Sequence, residues 1–380
     1  MAKPEHPVLS ARRLNRATLA RQRLLERTAL SAVDALEAIG GVQAQEPATP
    51  FIALWARVRD FQASELQRAF FDREVVKATL MRVTLHAVSR RDYRSFLPAL
   101  LPMLRTLRRR DSADRPTEAR LQRYAAAVVA FAASPRTNTE LRDHVAKLVE
   151  GPVADDVWWM IRRQAALVHV PDGVAWSFTR RPTLVAADVW LGDDPFAEAG
   201  VAVGHLVRHY LAAFGPATAA DIAAWAGLPV ASLRPGIEMG AARRYRDERG
   251  RELLDVADAP LPEEDVAAPP RLLPMWDSTL LAYADRTRIV SDPERALVIA
   301  RNGDVAPTFL VDGFVAGLWW TERSGSRTRI VLEPFRSLSR ADRAALDEEG
   351  ERLAEFLEPH EPTAYARYRT SGARRLGGIG

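Results

Sequence analysis

The stretch Gly215-Pro216-Ala217-Thr218-Ala219-Ala220-Asp221-Ile222-Ala223-Ala224-Trp225-Ala226-Gly227-Leu228-Pro229-Val230 decides the fold. Thr218 is placed to cap a helix over Ala219 to Ala226, Gly227 supplies the left-handed turn, and a second helix starts near Val230 and runs to about Ala242. A capped helix, a glycine turn and another helix form a helix-turn-helix. His205 to Phe214 precedes it as a helix, and Arg246 to Val256 can fold back as a hairpin about Glu248-Arg249-Gly250.

The same order is expected upstream. In residues 1–100, helices over Leu9 to Leu25, Ala32 to Ile39 and Ser64 to Asp72 precede Val75 to Ser89. Ser64 is read as the third helix's cap, and Val75 to Ser89 as one alternating strand with Arg82, Thr84 and His86 on one face. In residues 101–192, helices over Thr117 to Ala133, after Asn138, and over Asp155 to Gln164 precede a hairpin of Leu167 to Val170 and Val174 to Phe178. Residues 193–265 hold the third unit. Short alternating runs with Asp312-Gly313 and Ser324-Gly325 turns then suggest a small β-barrel in residues 270–360, closed by a helix from Ser339 to Leu357. Residues 361–380, with Arg367, Arg369, Arg374 and Arg375, read as a basic flexible tail. The class is α+β: three tandem winged-helix modules and a C-terminal barrel.

Composition narrows the chemistry. The 380 residues contain no cysteine, which excludes disulfides and thiolate catalysis, and no apolar run is long enough to span a bilayer. A chain without an apolar leader is expected in the cytoplasm, associated with the nucleoid. Net charge is +4, and 50 of the 53 basic residues are Arg, because Lys occurs only at 3, 77 and 147. Arg suits phosphates and base edges, but a GC-rich genome also favours it, so charge permits nucleic-acid binding without demanding it. Arg108-Arg109-Arg110 is the densest basic run.

The candidate chemistry lies in Gly40-Gly41-Val42-Gln43-Ala44-Gln45-Glu46-Pro47. On an extended backbone Gln43 and Gln45 point the same way, so two neutral amides can grip one water or one substrate oxygen. His205 and His209 are four apart on a helix, a metal-ligand spacing, but no third ligand stands near them in the sequence. No metal and no cofactor is expected.

With its Gly41–Pro47, Met81–His86 and Leu273–Ile289 segments, the chain resembles the AlkZ/YcaQ superfamily of bacterial DNA glycosylases over nearly its whole length. The resemblance implies three winged helices and a C-terminal β-barrel. It also implies that Gln43 and Gln45 are the catalytic Gln-x-Gln pair of the AlkZ-like branch, whose sister branch carries Gln-x-Asp. Arg82, Thr84, His86, Arg108, Arg109, Arg110, Trp276 and Asp277 are then candidates for contacting DNA or substrate. A glutamine is a poor base, so a pair of them suits a leaving group that is already cationic, such as an N7-alkylated purine in double-stranded DNA. The alternative is a non-catalytic regulator or nucleoid protein built from the same modules. Regulators usually dimerise to read two half-sites. Three modules in series favour a monomer without an obligate protein partner.

Overall fold

Ser10 accepts the backbone N–H of Arg13 and starts α1 (Ala11–Arg21), just after a two-residue strand, β1 (Val8–Leu9). The computed structural model describes residues 6–106, 116–179, 181–192 and 194–369. After α1, one order of elements (helix, strand, helix, helix, hairpin) occurs three times. The first is α2 (Ala32–Ala38), β2 (Val42–Gln43), α3 (Thr49–Trp55), α4 (Ala63–Phe71), β3 (Val75–Thr79) and β4 (Leu85–Ser89), followed by α5 (Arg90–Thr106). The second is α6 (Glu118–Phe131), β5 (Arg136–Thr137), α7 (Asn138–Leu148), α8 (Asp155–Arg162), β6 (Leu167–His169) and β7 (Thr183–Ala186), followed by α9 (Ala187–Leu191). The third is α10 (Ala199–Phe214), a bridge at Ala217, α11 (Ala219–Ala226), α12 (Val230–Gly240), β8 (Arg243–Asp247) and β9 (Glu252–Asp255). Each time the short strand closes on the hairpin's last strand: β2 on β4, β5 on β7, Ala217 on Leu254.

These repeats are fused rather than strung. The first two share a six-stranded sheet of order β2-β4-β3-β6-β7-β5, joined where Ala78 faces Val168. β1 runs parallel to β8, so the N-terminal segment completes the third repeat's sheet. The expected boundary near residue 100 falls inside α5, which packs against α10.

The C-terminal part holds β10 (Arg271–Leu273), α13 (Ser278–Leu281), α14 (Asp292–Val298), β11 (Thr308–Val311), β12 (Phe314–Ser324), β13 (Arg327–Pro334) and α15 (Arg340–Leu357). The expected barrel is instead an open four-stranded sheet, β10-β11-β12-β13. Four strands are too few to close around a filled interior. α15 lies over β10 and β13 and buries Leu346, Leu353 and Leu357 in the core shared with Phe51 and Trp319. Gly317 allows the strands to meet, since a Cβ there would collide with the Glu333 carbonyl and the Phe309 ring. The expected flexible tail is packed as far as it is described: Tyr365 and Tyr368 are buried, and Arg367 pairs with Glu46 at 2.6 Å. Among the described residues no helix is long and apolar enough to cross a membrane.

Three local expectations are corrected. Ser64 does not cap α4: the helix begins one residue earlier, and the Glu65 carboxylate accepts the Gln62 backbone N–H at 2.8 Å. Val75 to Ser89 is a hairpin rather than one strand, because the chain reverses at Met81–Val83, where Arg82 and Val83 take φ of 53° and 60°. Val174 to Phe178 is not a strand, and β6 pairs with β7 instead. Trp176 is drawn out of the strand direction, its Nε1 donating to Glu361 at 2.8 Å and its ring 4.9 Å from that of Phe51.

Candidate active site

Two glycines aim the glutamines. Gly40 and Gly41 have φ of 83° and 72°, and a Cβ would come within 2.8 Å of the Phe214 ring at the first and 2.6 Å of Val88 at the second. The turn they make ends α2 and lets β2 pair with β4, placing Gln43 opposite His86. Ala44 is fully buried in the core with Leu36 and Phe51, and its N–H donates to the Leu85 carbonyl at 2.7 Å. Gln43 is buried at 5% exposure, while Gln45 lies exposed beside it.

The Gln45 Oε1 accepts the Leu85 N–H at 3.2 Å, and the Gln43 Oε1 stands 3.5 Å from an Arg82 guanidinium nitrogen. Neither amide NH₂ has a hydrogen-bond partner among the described residues. Both glutamines therefore use their oxygens on the Arg82–Leu85 turn and keep donors free. A cavity of about 570 Å³, lined by Arg21, Arg208 and Met239 among others, includes neither glutamine.

Arg82 ties this turn to the third repeat. Its Nη1 donates to the Trp225 carbonyl at the end of α11 at 2.6 Å, and a Cβ on Gly227 would come within 3.0 Å of the Arg82 backbone. Burial, and then the nearby Arg286, lower the Arg82 pKa to about 10, so it stays charged at neutral pH. Thr84 spends its hydroxyl on the Met81 carbonyl at 3.0 Å, holding the turn. His86 is buried, and its Nδ1 lies 3.0 Å from the Thr84 carbonyl. Burial, and then Arg82, push its pKa down to about 3, so the ring is neutral across physiological pH.

The remaining candidates separate. Asp277 is buried, with both oxygens on Arg57 at 2.8 and 2.9 Å and one also capping α13 through the Thr279 N–H. Both carboxylate oxygens thus serve the fold. Trp276 donates its Nε1 to the Gly303 carbonyl at 3.2 Å. The same segment supports the glutamines from below, since the Ser278 hydroxyl donates to the Gly41 carbonyl at 3.2 Å. Arg108, Arg109 and Arg110 lie outside the described residues.

Sequence reading missed Arg286. It has no ion-pair partner among the described residues, and its Nε is buried without a hydrogen bond. It lies close enough to Arg82 to depress that residue's pKa. Its only sequence signal is its place in the Leu273–Ile289 segment. Two guanidiniums without carboxylate partners among the described residues, a neutral imidazole and two neutral amides make a site suited to an anionic backbone and an electron-poor base.

The profile of the family described as "DNA glycosylase AlkZ-like" matches residues 36–356. The "Interstrand DNA cross-link repair glycosylase" of Streptomyces sahachiroi is 26% identical over 370 residues, covering 88% of this chain and 93% of the relative. The solved structure of Streptomyces sahachiroi DNA glycosylase AlkZ matches with a TM-score of 0.75 at 21% identity. The match covers 92% of this chain and 97% of that one, so the two share a mixed α+β fold. The glutamine-centred site therefore sits in a chain that belongs to the AlkZ-like DNA glycosylases, enzymes that hydrolyse the N-glycosyl bond holding a base to DNA.

Proposed function

We propose that this enzyme excises N7-alkylated, cationic purines from duplex DNA, with Gln43 and Gln45 holding the attacking water. The observation that carries the reading is the charge of the site: the side chains brought to Gln43 are the Arg82 cation and, across the strand pair, the neutral His86. The nearest carboxylate in sequence, Glu46, is paired with Arg367. Such a site offers no strong base. It can act where the leaving group departs as a neutral base and needs no protonation, which a cationic purine does. Amide dipoles then orient water and stabilise charge at C1′. A crosslink through a purine N7 presents the same cation, which accords with the name of the Streptomyces sahachiroi relative.

In this reading the three repeats are winged helices that together cradle the duplex, and the protein acts as a monomer on the nucleoid. Arg82 and Arg286 receive phosphates beside the extruded nucleotide. Binding is then salt-dependent and weakly sequence-selective. The deciding assay is release of 7-methylguanine from methylated duplex DNA. Binding without release, at any salt or pH, overturns the assignment of substrate.

A further inference from the structure

Asp92, His205 and His209 converge where α5 packs on α10. The histidines are four apart on α10 and share a face. Asp92 stands in the first turn of α5, its N–H held by the Ser89 hydroxyl at 3.1 Å. His205 Nε2 is 3.2 Å from one Asp92 oxygen and His209 Nε2 is 3.6 Å from the other, and the three candidate ligand atoms lie within 4.8 Å of one another. Donors bound to a common ion at ~2.1 Å stand roughly 3.0–3.5 Å apart at octahedral or tetrahedral angles, so little adjustment is needed. In sequence the two histidines lacked a third ligand. The packing of α5 on α10 supplies one from 113 residues upstream.

The competing reading is a plain ion pair in which a protonated histidine neutralises Asp92. His209 weighs against it. Its Nε2 is buried without a hydrogen bond, and its side chain is only 13% exposed. A buried polar atom left without a partner is costly, and a bound cation removes that cost. Arg91, the cation next in sequence to Asp92, is paired with Glu37. His205, about a third exposed, leaves a route from solvent.

We propose that Asp92, His205 and His209 bind one divalent transition-metal ion, clamping α5 to α10. Two imidazoles and one carboxylate suit zinc or a similar borderline ion, whereas magnesium and calcium prefer oxygen alone. The clamp has a position of consequence. α5 follows β4, which carries His86, and the Phe96 ring lies 5.0 Å from His209 and 6.1 Å from Trp225, whose carbonyl Arg82 holds.

The test uses untagged full-length protein stripped with chelator. Cobalt(II) titration should give one equivalent with visible absorption from nitrogen and oxygen ligands, displaced by zinc, and zinc should raise the melting midpoint. Asp92→Asn and His209→Ala should each weaken binding by at least ~10–100-fold, the loss that even an outer partner of a ligand causes. His205→Gln alters the most exposed of the three and should show the same loss while melting like the wild type in chelator. Absence of saturable cobalt or zinc binding overturns the proposal. So does stoichiometric binding that none of the three variants weakens.

Discussion

Replacing Asp277 by Asn separates a folding role from a DNA-contacting one. In the native chain Asp277 and Arg57 face each other through two hydrogen bonds of 2.8 and 2.9 Å, with both side chains 1% exposed. Arg57 also donates to the Thr279 hydroxyl at 3.0 Å and to the Ala53 carbonyl at 3.1 Å. Asn at 277 keeps an oxygen for the Thr279 N–H, so the cap survives. It removes the charge and sets an NH₂ against a guanidinium donor. Breaking one partner of a buried pair costs ~3–5 kcal/mol. For 380 residues the unfolding entropy at the midpoint is about 0.8 kcal/mol/K, so melting should fall by about 4–6 °C. Circular dichroism during thermal and urea unfolding reads this directly. The folded variant should bind duplex DNA as the wild type does, since both Asp277 oxygens face inward. Arg57→Met combined with Asp277→Leu should regain most of the loss, because exchanging a whole buried pair for apolar groups is often neutral. A single variant within ~1 kcal/mol of wild type would refute the reasoning. A tenfold loss of DNA affinity at unchanged stability would return Asp277 to the DNA.

Gln43→Ala and Gln45→Ala should each lower 7-methylguanine release by roughly 10²–10³-fold with little change in DNA affinity. Gln45→Asp, which restores the sister branch's pair, should retain activity, and a dead Gln45→Asp would contradict the water-holding role. Arg286→Ala should weaken binding evenly across sequences and reduce the salt slope by about 0.9, the loss of one phosphate contact; an unchanged slope removes it from the DNA surface. Lys77 is buried with its pKa pushed down to about 8, chiefly by burial, so its charge is a cost at neutral pH that the Phe178 ring at 4.6 Å only partly offsets. Lys77→Met should therefore stabilise by about 1–2 kcal/mol in urea unfolding, and destabilisation would show a partner of greater worth. His86 is held neutral to about pH 3, whereas the unfolded chain takes up that proton near 6.5. Stability should thus fall as pH drops through that window and be level above it, a slope that His86→Gln reduces.

What was legible in the sequence was what local geometry dictates. The Thr218 cap, the left-handed Gly227, the bounds of α11 and the start of α12 could be read because each depends on a few adjacent residues, whereas α10 begins at Ala199, six residues before the expected start. Gly40 and Gly41 likewise marked the turn that presents Gln43. The misses share another origin. No glycine, proline or asparagine lies between Leu80 and Thr84, so the reversal there had no local signal, and a β-branched Val83 at positive φ is unfavourable by itself. Such strain, of order 1–3 kcal/mol per residue, persists only where surrounding structure over-determines it. Here that surrounding is the third repeat, through the Trp225 carbonyl on Arg82 and the close approach of Gly227. Arg286 and Asp92 were invisible for the same reason, since each acquires its meaning from a neighbour many residues away. The geometry around Gln43 is therefore a property of the first and third repeats packed together, although the glutamine pair itself is written wholly within the first.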